Sequence, residues 1–156
     1  MSRAVIMAVA LVAAGSVTYA AQSPAPAPKK AVTKNLPPAV KATIEAESKG
    51  ATVKGISSEK ANGKTVYELE TLVNGRSRDL MIDAAGKVYV VEEQLDVDKA
   101  PAAVKAALEA KGKIVALESV MENGKTRYEG QVQTKAGKKV AFEVDADGKP
   151  YKKGQS

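Results

Sequence analysis

The apolar positions of this chain change period twice, and each change marks a set of elements. Leu36, Val40 and Ile44 recur every fourth residue, as do Ala100, Val104 and Leu108. That spacing puts each set on one face of a helix. Pro37 and Pro101 suit first helical turns, and Asn35 and Asp98 stand nearby as capping candidates. Gly50 and Gly112, each preceded by lysine, read as C-terminal stops. After each helix the period falls to two and is broken by turn signals. Asn62-Gly63, Asn74-Gly75 and Asn123-Gly124 are two-residue hairpin turns, because both central positions need positive φ. Asp147-Gly148 is a further turn, Ala85-Gly86 a weaker one, and the stretch KAGK from Lys135 fits a three-residue loop.

The chain also repeats itself. PPAVKATIEA from Pro37 matches PAAVKAALEA from Pro101 at an offset of 64. NGKTVYE from Asn62 matches NGKTRYE from Asn123 at 61, and DAAGKVY from Asp83 matches DADGKPY from Asp145 at 62. Repetition at this period predicts two units of one plan. The expected fold is α+β: two tandem repeats, residues 35–97 and 98–153, each a helix followed by a four-stranded antiparallel meander. The helices pack on one sheet face.

Turn lengths set register, and register sets faces. In the first repeat the turns pair Ile56 with Leu69, Ser58 with Tyr67, Leu69 with Leu80, Tyr67 with Ile82, Leu80 with Val91 and Ile82 with Tyr89. The helix-facing set of the second repeat is Val115, Leu117, Tyr128, Val132, Val140, Phe142, Val144 and Tyr151. The opposite face then carries Val66, Glu68, Glu70, Asp79, Met81, Val88, Val90 and Glu92 from the first repeat. From the second it carries Glu118, Arg127, Glu129 and Glu143, with Glu129 beside Asp145 and Gln131 beside Glu143. Glu70 opposite Asp79, and Glu118 opposite Glu129, are like-charged pairs, which are unfavourable in a sheet. Beside them, Val66, Met81, Val88 and Val90 form an apolar cluster. An apolar centre with a charged rim is the anatomy of a protein-binding patch. These twelve residues are the candidate partner-binding site.

Near the N-terminus stand Arg3, an apolar run from Ala4 to Ala14 and small residues near Ala20. These have the layout of a secretory signal over residues 1–20, with cleavage expected after Ala20. The apolar run is far shorter than the roughly 20 residues of a spanning helix. Residues 21–34, AQSPAPAPKKAVTK, alternate proline with alanine and read as a semi-rigid polyproline linker. Export predicts a periplasmic or secreted protein with no membrane span after cleavage.

Charge changes the picture only once its location is considered. The chain carries +6, but seven of its 24 basic residues lie outside Leu36–Gly148, leaving 17 basic against all 18 acidic residues there. The basic excess belongs to the tails, so nucleic acid is not the expected partner. Histidine and cysteine are both absent. The commonest general base, the thiol nucleophile and most transition-metal ligands are therefore missing. No Gly-rich phosphate loop or nucleophile elbow is present, and no cofactor or catalytic residue is assigned. The stretch DADG at Asp145 lacks the downstream glutamate of a calcium loop and reads as a turn.

The opening LPPAV at Leu36, Tyr67 in the second strand and DAAGKVY before the fourth resemble the PepSY-like family. That family is similar to the beta-lactamase inhibitor protein, a tandem repeat of helices and four-stranded units. The resemblance covers Leu36 to about Lys152 and implies an exported, non-catalytic domain, with peptidase inhibition as the activity of relatives. The beta-lactamase inhibitor protein carries disulfides and this chain has no cysteine, so inhibition of beta-lactamase is not carried over. The expected function is a non-catalytic module that engages an unknown protein or peptide of basic character through the open sheet face, as an inhibitor of an envelope enzyme. Two alternatives remain: a periplasmic carrier of a cation or small ligand on the acidic rows, and a structural or stress-related envelope protein without a defined site.

Overall fold

The computed structural model describes residues 35–61 and 63–151. Helix α1 (Pro38–Glu47) is followed by β1 (Thr52–Ala61), β2 (Lys64–Val73), β3 (Arg76–Asp83) and β4 (Val88–Gln94). A short 3-10 turn at Val97–Lys99 leads to α2 (Ala102–Glu109), then β5 (Lys113–Glu122), β6 (Lys125–Gln133) and β7 (Lys139–Val144). All strands form one antiparallel sheet in the order β1-β2-β3-β4-β5-β6-β7. The two halves are continuous because β4 pairs with β5, from Val90 opposite Glu122 to Gln94 opposite Glu118. After β7 the chain returns through a single bridge between Val144 and Pro150, and the Tyr151 N–H donates to the Glu143 carbonyl at 2.9 Å. Four strands in the first half thus correspond to three strands and a bridge among the described residues of the second. No helix among the described residues is long and apolar enough to cross a membrane.

Each helix buries its apolar stripe on its own half of the sheet. Val40 and Ile44 of α1 join Ile56, Tyr67, Leu69, Leu80 and Ile82 in one core. Val104 and Leu108 of α2 join Leu117, Val132 and Val144 in the other, with Ala100, Ile114, Tyr128 and Phe142 packed alongside. Arg78 ties α1 to the sheet, its guanidinium lying 2.9 Å from Glu47 and 3.0 Å from Glu93. The capping expectation is corrected: Pro37 and Pro101 occupy the N-cap positions, and neither cap makes a side-chain hydrogen bond. Asn35 lies upstream with φ 72°, and Asp98 sits in the 3-10 turn, 3.4 Å from Lys105.

The repeated D-x-x-G-K turn locks each helix to its half. Asp83 Oδ1 accepts the N–H groups of Ala85 and Lys87, and Asp145 Oδ1 those of Asp147 and Lys149, all at 2.9 Å. Gly86 and Gly148 follow in the left-handed region, at φ 84° and 76°, pressed against the first turns of α1 and α2. A Cβ at Gly86 would fall 2.7 Å from the Ala39 carbonyl oxygen, and one at Gly148 2.5 Å from that of Ala103. The Thr43 hydroxyl seals the first contact, donating to the Gly86 carbonyl at 2.6 Å. Asp145 is therefore occupied in its own turn, as the sequence reading of DADG expects.

Hairpins with Asn-Gly turns keep the expected register. Ile56 faces Leu69, Ser58 faces Tyr67, Leu69 faces Leu80 and Tyr67 faces Ile82; across the β3–β4 hairpin, Leu80 also faces Val91 as expected. Asn74-Gly75 and Asn123-Gly124 have positive φ at both residues; Asn62 lies outside the described residues. The three departures come from other turns and from bulges. First, Asp83 N–H bonds the Lys87 carbonyl, making the β3–β4 loop three residues long. Ile82 then faces Val88 rather than Tyr89, and a bulge at Tyr89 restores Met81 opposite Val90. Second, a bulge between Ile114 and Ala116 turns Ile114 into the core and leaves Val115 39% exposed. Third, Thr134 N–H bonds the Lys138 carbonyl, so Glu129 faces Glu143 and Gln131 faces Ala141.

Candidate partner-binding face

The sheet face opposite the helices has its own apolar cluster, to which neither helix contributes. Val66, Met81, Val90 and Val120 are buried together there, with half-buried Tyr89 packed against them. The bulge at Tyr89 corrects two expectations at once. Val88 packs instead with the α1 core, and Tyr89 takes its place on this face. Tyr151, expected among the helix-facing residues, likewise lies on this face, its ring centroid 5.4 Å from the Arg127 guanidinium. Both tyrosines directly follow the short Asp-Gly loop of their half, so the same loop chemistry moves both. Val120 was not among the candidates. It faces Arg127 on one side and Glu92 on the other, and is 1% exposed. Local pattern sets Val120 opposite Arg127 on this face, but only the β4–β5 pairing brings it to the first-half cluster.

The charged candidates fall into two rows across the strands. Glu70, Asp79 and Glu92 stand opposite one another on β2, β3 and β4, and the row continues through Val120 to Arg127. Glu118, Glu129 and Glu143 form the second row on β5, β6 and β7. Glu68 faces Met81 and accepts the Ser57 hydroxyl at 3.0 Å. The structure thus assembles eleven of the twelve candidates on one face and sends Val88 to the other.

Crowding like charges in a poorly hydrated place raises their affinity for protons. Burial pushes Asp79 up to about 6; the Thr71 N–H, 3.2 Å from its Oδ1, and the Ser77 hydroxyl oppose this, while Glu70 and Glu68 add to it. Glu92 rises to about 7 through burial first, then the charges of Glu118 and Glu129, against the pull of Arg127. Glu118 is raised by burial, and Glu129 by burial and the charges of Glu143 and Glu118. Arg127 is the cation of these rows, and only 5% of it is exposed. Its Nη1 donates to Glu122 at 3.1 Å, and its Nε lies 3.2 Å from Glu143 Oε2 without hydrogen-bond alignment.

Such a face holds a buried apolar strip in the first half, carboxylate rows toward the second, and two tyrosine rings. Among the described residues, no three acidic side chains converge as a metal site would require. Carboxylates spread along flat rows do not wrap a cation. On the helix side, a separate groove of about 470 Å³ lies where α1 and α2 leave the β4–β5 seam uncovered, floored by Leu80, Val88, Val91 and half-exposed Met121.

Comparison with known proteins bears on the fold first. Residues 100–148 match the PepSY family, described as the peptidase propeptide and YPEB domain. No curated protein matches the chain. Among solved structures, a BLIP-like protein from Bacteroides fragilis is similar at 22% identity, over 77% of this chain and 87% of that one, with a TM-score of 0.55. A DUF2874 family protein from Bacteroides ovatus is similar at 16% identity, over 76% and 86%, with a TM-score of 0.59. A Bacteroides eggerthii protein provisionally described as periplasmic is similar at 17% identity, over 74% and 86%, with a TM-score of 0.60. These structures share the fold, and the PepSY match falls on α2 through β7 and the turn after it. In fold this chain is similar to the BLIP-like and DUF2874 structures, and in the sequence of its second half it is similar to the PepSY family.

Proposed function

We propose that this protein is an exported, non-catalytic module that binds a protein or peptide of basic character through the sheet face opposite its helices, and so restrains an envelope enzyme. The observation that carries this reading is the apolar strip of Val66, Met81, Val90 and Val120 beside two carboxylate rows that hold a single arginine. The acids select for positive charge, and the half-buried Tyr89 ring beside the strip supplies apolar contact. The signal-like segment at residues 1–20 and the periplasmic description of one structural relative support export. The PepSY match and the BLIP-like fold support a binding rather than a catalytic role.

The test is capture from envelope extract by the immobilised chain, with E118K/E129K as the comparison. Glu118 and Glu129 are half-buried and lie outside both helix-side cores, so the variant should melt like the native protein. A protein retained by the native chain, lost from the variant, and shifting the amide signals of this face on titration would establish the reading. A retained protein indifferent to the charge reversal would sink it.

A further inference from the structure

The sheet ends at β1 in an open edge, and the other half of the molecule shows what such an edge accepts. β1 and β5 are equivalent strands of 10 residues each. Both carry a bulge at the same place, between Val53 and Gly55 and between Ile114 and Ala116. Beyond the bulge of β5, β4 pairs antiparallel with residues 118–122. Beside β1 no strand lies among the described residues, and Ser58, Glu59 and Lys60 are exposed. We propose that residues 57–61 of β1 receive the basic partner as an added antiparallel strand, in the place that β4 holds beside β5. The inference rests on the binding of a basic protein or peptide by the acidic face and adds how its main chain is held.

Backbone geometry supports the addition. In an antiparallel ladder the N–H and C=O groups of alternate residues point to opposite sides of the strand. On β5 the side toward β4 belongs to Leu117, Ser119 and Met121. The Leu117 carbonyl accepts the Leu95 N–H at 2.8 Å, and two residues past Met121 the Asn123 N–H donates to the Tyr89 carbonyl at 3.0 Å. The equivalent residues of β1 are Ile56, Ser58 and Lys60, so their backbone groups face outward. Outward groups with no strand beside them are a template for another chain. The opposite edge of the sheet is less open, because the Val144–Pro150 bridge and the Tyr151 N–H already occupy the end of β7.

Charge selects what is added. On the acidic face Glu59 stands on β1 opposite Val66, with Asp83 next in that row. Gly55 and Ser57 lie opposite Glu70 and Glu68, and both are small. A long side chain on a strand ~4.8 Å outside β1 can therefore reach past them toward these carboxylates. Of the cations of β1, Lys60 donates to the Thr65 hydroxyl at 2.7 Å on the helix side, and Lys54 is the bulged residue. A strand with lysine or arginine at alternate positions sets these beside Glu59 and toward Glu68 and Glu70. Its intervening residues form the ladder with Ser58 and Lys60.

The probe is an end-capped octapeptide of alternating lysine and threonine, titrated into isotope-labelled protein. Strand addition predicts that the Ser58 and Lys60 amides become protected from hydrogen exchange, while those of Val40 and Val104 do not change. N-methylation of the probe's threonines removes the ladder donors and should weaken binding about tenfold or more. Ser58→Pro takes an outward N–H from an edge strand without touching the β1–β2 ladder, so it should weaken binding similarly and still fold. An N-methylated probe that binds as well as its parent would overturn the added strand, as would a large excess of probe that leaves every amide unchanged. Protection that appears on raising the protein concentration alone would give the edge to a second copy and overturn it too. The two readings fail separately. Probe-induced shifts at Glu118 and Glu129, with Ser58 and Lys60 unprotected, remove the added strand and keep the acidic face. Protection at Ser58 and Lys60 that N-methylation abolishes, with envelope capture indifferent to E118K/E129K, keeps the added strand and removes the wider binding face.

Discussion

Leu108 of α2 occupies the space that a side chain at position 130 would need. A Cβ at Gly130 would come within 2.5 Å of Leu108 Cδ1. The corresponding pair in the first half is Ile44 with Leu69, both buried in the α1 core. The two halves therefore reach similar packing by exchanging bulk between helix and strand. Gly130→Ala should destabilise the protein by about 1–3 kcal/mol through overpacking. Leu108→Ala alone should cost about 2–5 kcal/mol. If the two residues share one space, the double variant will lose less than the sum, by at least about 0.5 kcal/mol, in urea titrations. Simple additivity would show that the space is not shared.

Gly86 and Gly148 are distinguished from the other turn glycines by what lies next to them. Gly75, at φ 79°, has open space where a Cβ would point. Gly75→Ala should therefore cost only the left-handed backbone penalty, about 1–2 kcal/mol. Gly86→Ala and Gly148→Ala incur the same penalty and also drive a methyl into a helix carbonyl, so each should lower the melting temperature distinctly more. Thermal melts of the three single variants decide this.

Stability should fall, not rise, as pH increases through neutrality. Asp79 and Glu92 bind protons more tightly in the folded chain than in the unfolded one, with folded values of about 6 and about 7. Their favourable contribution is complete below the ordinary carboxylate range and is lost as pH climbs through those folded values. Denaturation midpoints should thus be higher at pH 5 than at pH 8. Glu92→Gln should flatten the profile and stabilise the fold at pH 8 by on the order of 1 kcal/mol. A midpoint that instead rises steadily from pH 5 to pH 8 would contradict this account.

Arg127 is buried between Glu122 and Glu143 beneath the Tyr151 ring. Removing one partner from a buried ionic group leaves the others uncompensated and typically costs about 3–5 kcal/mol. Arg127→Met should fall in that range and raise the proton affinity of Glu92 and Glu129, both of which Arg127 now holds down. Arg127→Lys should rescue only part of the loss, because an ammonium lacks the planar fork that spans two carboxylates. Urea titration and carboxyl NMR titrations measure the two effects.

Much of this architecture is legible along the chain because its information is local. Asn74-Gly75 and Asn123-Gly124 fix both the loop length and the handedness of their hairpins, so the β2–β3 and β5–β6 registers follow from a few neighbouring residues. The i, i+4 stripes of Val40 and Ile44, and of Val104 and Leu108, likewise identify the buried helix faces. The like-charged pairs Glu70–Asp79 and Glu118–Glu129 follow from the same turns.

What the tertiary structure alone decides begins where a short turn is closed by contacts outside itself. The Asp83 loop is three residues long because its carboxylate holds two N–H groups while Gly86 abuts Ala39, and the resulting bulge exchanges Val88 and Tyr89 between faces. Alternation has a period of two, so a single extra residue reverses a side chain's direction while leaving the sequence pattern unchanged. The merger of the two halves is further from sequence still. It depends on β4 meeting β5 across an intervening helix, and that pairing alone sets Val120 beside Val90 and the acids of one half beside those of the other. Contacts between residues distant in the chain depend on how whole units pack, and no local pattern encodes them.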